Sequence, residues 1–92
     1  MTLKAARCPP GTLHARAAAD TNIDWVPSDG SGMRSYKATC SFCSPVIYEW
    51  GLVGGNYRIR RTDLQAATTH LTPAVPRPQA IAWWLALTGH TP

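Results

Sequence analysis

One stretch of the chain leaves few options for folding. Val46-Ile-Tyr-Glu-Trp-Gly-Leu-Val53 runs into Gly54-Gly55 and then into Asn56-Tyr-Arg-Ile-Arg-Arg-Thr62. Two β-prone runs joined by a glycine pair read as a hairpin closed by a two-residue type I′ turn, which needs positive φ at both central positions. Such a turn fixes the register, and a slip of one residue would exchange the two faces. Leu52 then stands opposite Tyr57, Trp50 opposite Ile59 and Tyr48 opposite Arg61. On the other face Gly51 meets Arg58, Glu49 meets Arg60 and Ile47 meets Thr62. One face is apolar and aromatic, and its reverse is polar with an opposite-charge pair.

The remaining residues must build around that hairpin. Ninety-two residues suit a single domain, 1–92. A chain this short buries only about 60–65% of its unfolded surface, so its core is thin and a metal, disulfide or partner chain is a common staple. Residues 1–20 give no firm pattern beyond the turn at Cys8-Pro9-Pro10-Gly11 and a short Ala-rich stretch. Asn22–Pro27 and Met33–Thr39 both alternate, and Ser28-Asp-Gly-Ser-Gly32 between them is a turn signal, so they predict a first hairpin. The span 63–78 reads as a connector, with a single helical turn over Asp63–Ala67, because Pro73, Pro76 and Pro78 forbid a long helix. A C-terminal helix is predicted over 78–89, with proline in its first turn and Gly89 as its stop. Ile81, Trp84, Leu85 and Thr88 share one face of that helix, and Ala80, Trp83 and Leu87 share another. The former stripe is expected to pack on the hairpin. The expected fold is therefore α+β: a small zinc-ribbon-like domain of two β-hairpins with one C-terminal helix packed on the sheet.

The zinc expectation comes from cysteine spacing. Cys40-Ser-Phe-Cys43 is a C-x2-C knuckle, and two thiolates at that spacing can grip one tetrahedral ion from a tight turn. Cys8 and His14 could complete a Cys3His set of the kind found in closed structural zinc sites, with His70 or His90 as other candidates for the fourth ligand. Buried inert thiols are the plain alternative, since free cysteine is among the most buried residue types. A redox pair is a third, although the βαβ setting of thioredoxin-like motifs is missing.

Nine Lys and Arg against five acids give a net charge of +4, a modest excess compatible with a nucleic-acid partner. Arg58 and Arg60 are expected to project from the polar face of the hairpin, with Lys37, Tyr36 and Trp25 nearby as a small nucleic-acid platform. A solvated sheet face carrying a surface ion pair explains the same residues. Trp83 and Trp84 point about 100° apart on a helix and cannot share one pocket. Trp84 is assigned to the core. Trp83 is either covered within the chain or presented as a contact to a partner protein or a second copy. No His, acid or Gly-rich loop falls into a catalytic pattern, so a non-catalytic protein is expected. With no signal-like or membrane-length apolar run, the expected location is the cytoplasm.

The segment from Tyr48 through Gly54-Gly55 to Arg60-Arg61-Thr62, with Ala82-Trp-Trp-Leu-Ala-Leu-Thr-Gly89, resembles small uncharacterised proteins of actinobacteria and their phages. In those a Cys-containing segment leads into a hairpin ending in Arg-Arg-Thr, followed by a Trp-containing helix. The resemblance covers the last half of the chain and implies architecture and an intracellular or phage context, with no activity. The leading functional expectation is a small regulatory binding module contacting nucleic acid or a nucleic-acid-bound protein. The alternative is a protein-interaction module acting through Trp83, as a phage-encoded modulator of a host protein or as a homodimer.

Overall fold

The computed structural model describes residues 13–14, 23–27, 33–40 and 44–92. They form five strands and a helix: β1 (Val26–Pro27), β2 (Arg34–Ala38), β3 (Val46–Val53), β4 (Asn56–Asp63), β5 (Thr68–Leu71) and α1 (Arg77–Thr88). All the strands join one antiparallel sheet in the order β1-β5-β4-β3-β2. The architecture is α+β, as expected.

The central hairpin adopts the predicted register at every pair, from Ile47↔Thr62 to Leu52↔Tyr57. Gly54 and Gly55 have φ of 55° and 88°, the positive values a type I′ turn demands. The face bearing Tyr48, Trp50 and Ile59 is buried against Ala80, Trp84 and Leu87 of α1, with Ile23 joining the cluster. Trp50 is the hub. Its ring meets Trp84 edge-on at 5.8 Å and Tyr57 at 5.1 Å, while Trp25 lies 5.9 Å from Tyr48. Such pairs contribute about 0.5–1.5 kcal/mol each beyond area burial.

Two expectations about strands are corrected. There is no first hairpin: β1 pairs with β5 and β2 pairs with β3, at opposite edges of the sheet. An independent hairpin would have left both sides of the central one with unpaired N–H and C=O groups, and instead β2 takes the open edge of β3 while β5, with β1 beyond it, takes that of β4. The span read as a connector contains β5, which pairs with β4 through Arg60↔Leu71 to Asp63↔Thr68. The expected helical turn at Asp63–Ala67 is a tight turn between β4 and β5. There Asp63 Oδ1 accepts the N–H groups of Gln65 and Ala66, both at 3.0 Å, and Ala67 adopts φ 56°.

Two buried threonines fasten the strands that flank the central hairpin, β2 and β5, where they end. Thr72 follows β5. Its N–H donates to the Ile59 carbonyl at 2.9 Å, and its hydroxyl accepts the Ile59 N–H at 3.0 Å. Thr39 follows β2 and does the same with Tyr48, its N–H donating at 2.9 Å and its hydroxyl accepting at 3.0 Å. In each case a side-chain oxygen takes a strand amide that would otherwise look for a backbone carbonyl. Beyond Thr72 the chain rejoins β4 through a pair of bonds between Tyr57 and Val75, which delivers it to α1.

The helix has the predicted ends. Pro78 lies in its first turn, and Gly89 closes it in the left-handed conformation with its N–H on the Leu85 carbonyl at 2.7 Å. Its buried stripe is rotated from the expected one. Ala80, Trp84, Leu87 and Thr88 are buried, while Leu85 is 39% exposed. The helix is apolar nearly all round, so periodicity alone could not choose its inner face; the Val75–Tyr57 pairing sets how it lands on β4.

Candidate functional site

The residues singled out in the sequence fall into three places. Arg58 and Arg60 lie on β4, on the reverse of the aromatic face, and both are half-buried rather than freely solvated. Arg60 grips Glu49 with two bonds, Nε to Oε1 at 2.7 Å and Nη2 to Oε2 at 3.0 Å. The hydrogen bonds and charge of Arg60 hold the Glu49 carboxyl below the usual range, against an opposing effect of burial, and Ser35 adds a further hydrogen bond. The Arg60 guanidinium is raised by the same carboxylate. Arg58 donates from Nε to the Thr72 carbonyl at 2.6 Å, the carbonyl that Ile59 would have used had the Thr72 hydroxyl not replaced it. Leu71, opposite Arg60 in register, is only 2% exposed. The reverse face is thus a partly covered layer whose two arginines hold the sheet together.

A different set of cations is open. Every residue of β2 is exposed, at the sheet edge. Arg34 stands opposite Leu52 and Lys37 opposite Trp50, and the ladder takes in one extra residue between Ser35 and Lys37. That residue is Tyr36, 54% exposed. Neither Arg34 nor Lys37 makes an ion pair among the described residues. Of the described acids, Glu49 is on the neighbouring strand, paired with Arg60 and hydrogen-bonded by Ser35 of β2, while Asp63 caps a turn and Asp24 precedes β1 at the opposite edge. The sequence puts Lys37 and Tyr36 beside Arg58 and Arg60, and the structure has both on this edge strand. Arg34 was missed, because nothing in an alternating run says which strand will be an edge.

The cysteine set is placed in part. Cys8 and Cys43 lie outside the described residues. Cys40 is half-buried. Its N–H donates to the Leu13 carbonyl at 2.8 Å, so His14 and Cys40, far apart in the chain, sit on adjoining backbone. His70 is in β5 opposite Arg61, and His90 follows α1. Among the described residues no three His, Cys, Asp or Glu gather as a metal-binding group.

Trp83 is half-buried and packs against the core, so it has a role inside the chain. Leu85 is the one large apolar residue of the helix that is exposed, beside exposed Ala82 and Ala86. Among the described residues no helix is long and apolar enough to cross a membrane. No family model, no curated protein and no solved structure matches this chain.

Proposed function

We propose that this chain is a small, non-catalytic, regulatory binding module that contacts nucleic acid, and that its contact surface is β2 rather than the Arg58/Arg60 face. The observation that carries the reading is the exposed edge strand, with Arg34 and Lys37 making no ion pair among the described residues and Tyr36 between them. Arg58 and Arg60 support it from behind by holding β4 to its neighbours. Cations with no internal partner can neutralise phosphates without first giving up a bond. The test is binding of a labelled oligonucleotide over a range of salt. The parent protein should bind at low salt and weaken steeply as salt rises. Arg34→Ala with Lys37→Ala should weaken binding broadly and reduce the salt slope by about 2, one per cation removed. Absence of binding at low salt would dispose of the reading.

The structural zinc inferred from Cys8, His14, Cys40 and Cys43 belongs to the same proposal as its staple. Support comes from the Cys40–Leu13 backbone bond, which draws one member of each half-site together. Zinc bound there would stabilise the fold, because binding energy in such sites is largely folding energy. Native mass spectrometry should find one zinc per chain, and chelator should lower the melting temperature. A metal-free protein indifferent to chelator would remove zinc from the account and leave β2 untouched.

A second reading has one observation in its favour. Ala82, Leu85 and Ala86 form an exposed stripe without charge on α1. A second copy suits it, since a two-fold contact there would bring no like charges together. Leu85→Glu should then abolish dimerisation in light scattering; a monomeric parent protein at high concentration refutes it.

A further inference from the structure

Resting on the nucleic-acid reading of β2, we infer that its ligand is a single strand, with Tyr36 as the platform on which one unpaired base stacks. Tyr36 is the residue by which β2 exceeds β3, because Ser35 pairs with Gly51 and Lys37 with the next residue, Trp50. A bulge residue is left out of the ladder, and here its ring is 54% exposed. Arg34 and Lys37 flank it and face Leu52 and Trp50, two residues apart on β3. They therefore stand about 6–7 Å apart along the strand, on either side of the bulged residue.

Three other ligands fit less well. A duplex hides its base faces in the stack and could use only the two cations. A small anion would use the cations and leave the ring idle. An extended acidic peptide adding itself to the open edge needs a regular row of N–H and C=O groups. The extra residue breaks that row, and a bulge and a lysine on an edge strand are devices that discourage strand addition. An exposed aromatic between two exposed cations, by contrast, suits an unpaired base on a phosphate backbone. Stacking on an aromatic is tolerant of sequence, since every base has a π face. The expected binding is therefore weakly selective among bases.

Fluorescence anisotropy with the full chain tests this, using labelled oligo-dT, a mixed-sequence duplex of equal length and a poly-glutamate peptide at one low ionic strength. Oligo-dT should bind most tightly. Tyr36→Ala should weaken oligo-dT binding by about 5- to 100-fold, the range seen when a stacking aromatic is truncated, while duplex binding is unchanged. Tyr36→Phe should keep single-strand affinity near the parent value. Because Tyr36 is exposed, circular dichroism should show both variants folded. Equal affinity for duplex and single strand, or oligo-dT binding indifferent to Tyr36→Ala, overturns the inference and leaves the nucleic-acid reading standing. Binding to neither nucleic acid overturns the reading and the inference together, and tighter binding of poly-glutamate does the same.

Discussion

At the scale of single residues, stability turns on a few buried polar atoms as much as on the aromatic cluster. Thr72 is fully buried, and its hydroxyl is the acceptor for the Ile59 amide. Thr72→Val keeps the shape and removes that acceptor, leaving an amide unsatisfied at a cost of about 1–3 kcal/mol. Thr72→Ser should cost less, because the hydroxyl remains, and urea melts of the pair should separate the two effects. Trp84 is fully buried too, yet its indole N–H finds no acceptor among the described residues. Trp84→Ala should cost about 3–5 kcal/mol, most of what a domain this small has in hand. Trp84→Phe, which deletes the orphaned N–H along with part of the ring, should remain folded in thermal melts where the alanine variant does not. Glu49 contributes in a pH-dependent way. Its pKa is lower in the fold than in the unfolded chain, so the stabilisation is present above the ordinary glutamate range and is lost as pH falls through the depressed folded value. A half-buried, two-bonded pair contributes about 1 kcal/mol at neutral pH. Glu49→Gln should therefore be less stable than the parent at pH 7 and match it more closely in acid, as melts across that range would register.

At the scale of elements, the contact between β2 and β3 is set by Gly51. A Cβ built on Gly51 would lie 2.6 Å from the Arg34 carbonyl oxygen and 2.6 Å from Met33 Cγ. The methionine can swing aside, but the carbonyl belongs to β2 and moves only if the strand does. Gly51→Ala should cost about 1–3 kcal/mol, and faster proteolysis within 33–40 should show β2 loosened. The same strand marks where reading the sequence stopped short. The central hairpin could be read to the last pair because its turn chemistry and its two faces impose the same register. The helix ends were equally plain, since Pro78 and Gly89 act locally. The partners of β1 and β2 were hidden because pairing between distant strands leaves no local trace, and the Ser28–Gly32 turn signal is compatible with a hairpin. Strand β5 escaped because Thr-Thr-His-Leu is short and only its last residue is apolar. For the candidate site, the Arg60–Glu49 pair was legible in the register, whereas Arg58 looked available because the sequence displays its charge but not the carbonyl of Thr72, which lies beyond an unforeseen strand. Arg34 and Tyr36 gain interest only once β2 is known to be an edge.

At the scale of the whole molecule, the two edges of the sheet differ in the charges the described residues place there. Arg34 and Lys37 occupy one edge, and Asp24 adjoins the other. A polyanion approaching from a distance would be turned toward β2 before any contact forms, over a range of about 8–10 Å at ordinary ionic strength. The two strands that flank the central hairpin, β2 and β5, are fastened by the same means, since Thr39 and Thr72 each lie one residue past a strand and each takes an amide of the central hairpin. Those two amides, of Tyr48 and Ile59, consequently owe their protection to the rotamer of one side chain apiece. In a hydrogen-exchange experiment they should act as separate clocks for the two flanks. Tyr48 should exchange when the β2 side peels away and Ile59 when the β5 side does, each ahead of the hairpin amides that bond only to backbone. A single strand seated on β2 would slow the first clock and leave the second running at its own rate.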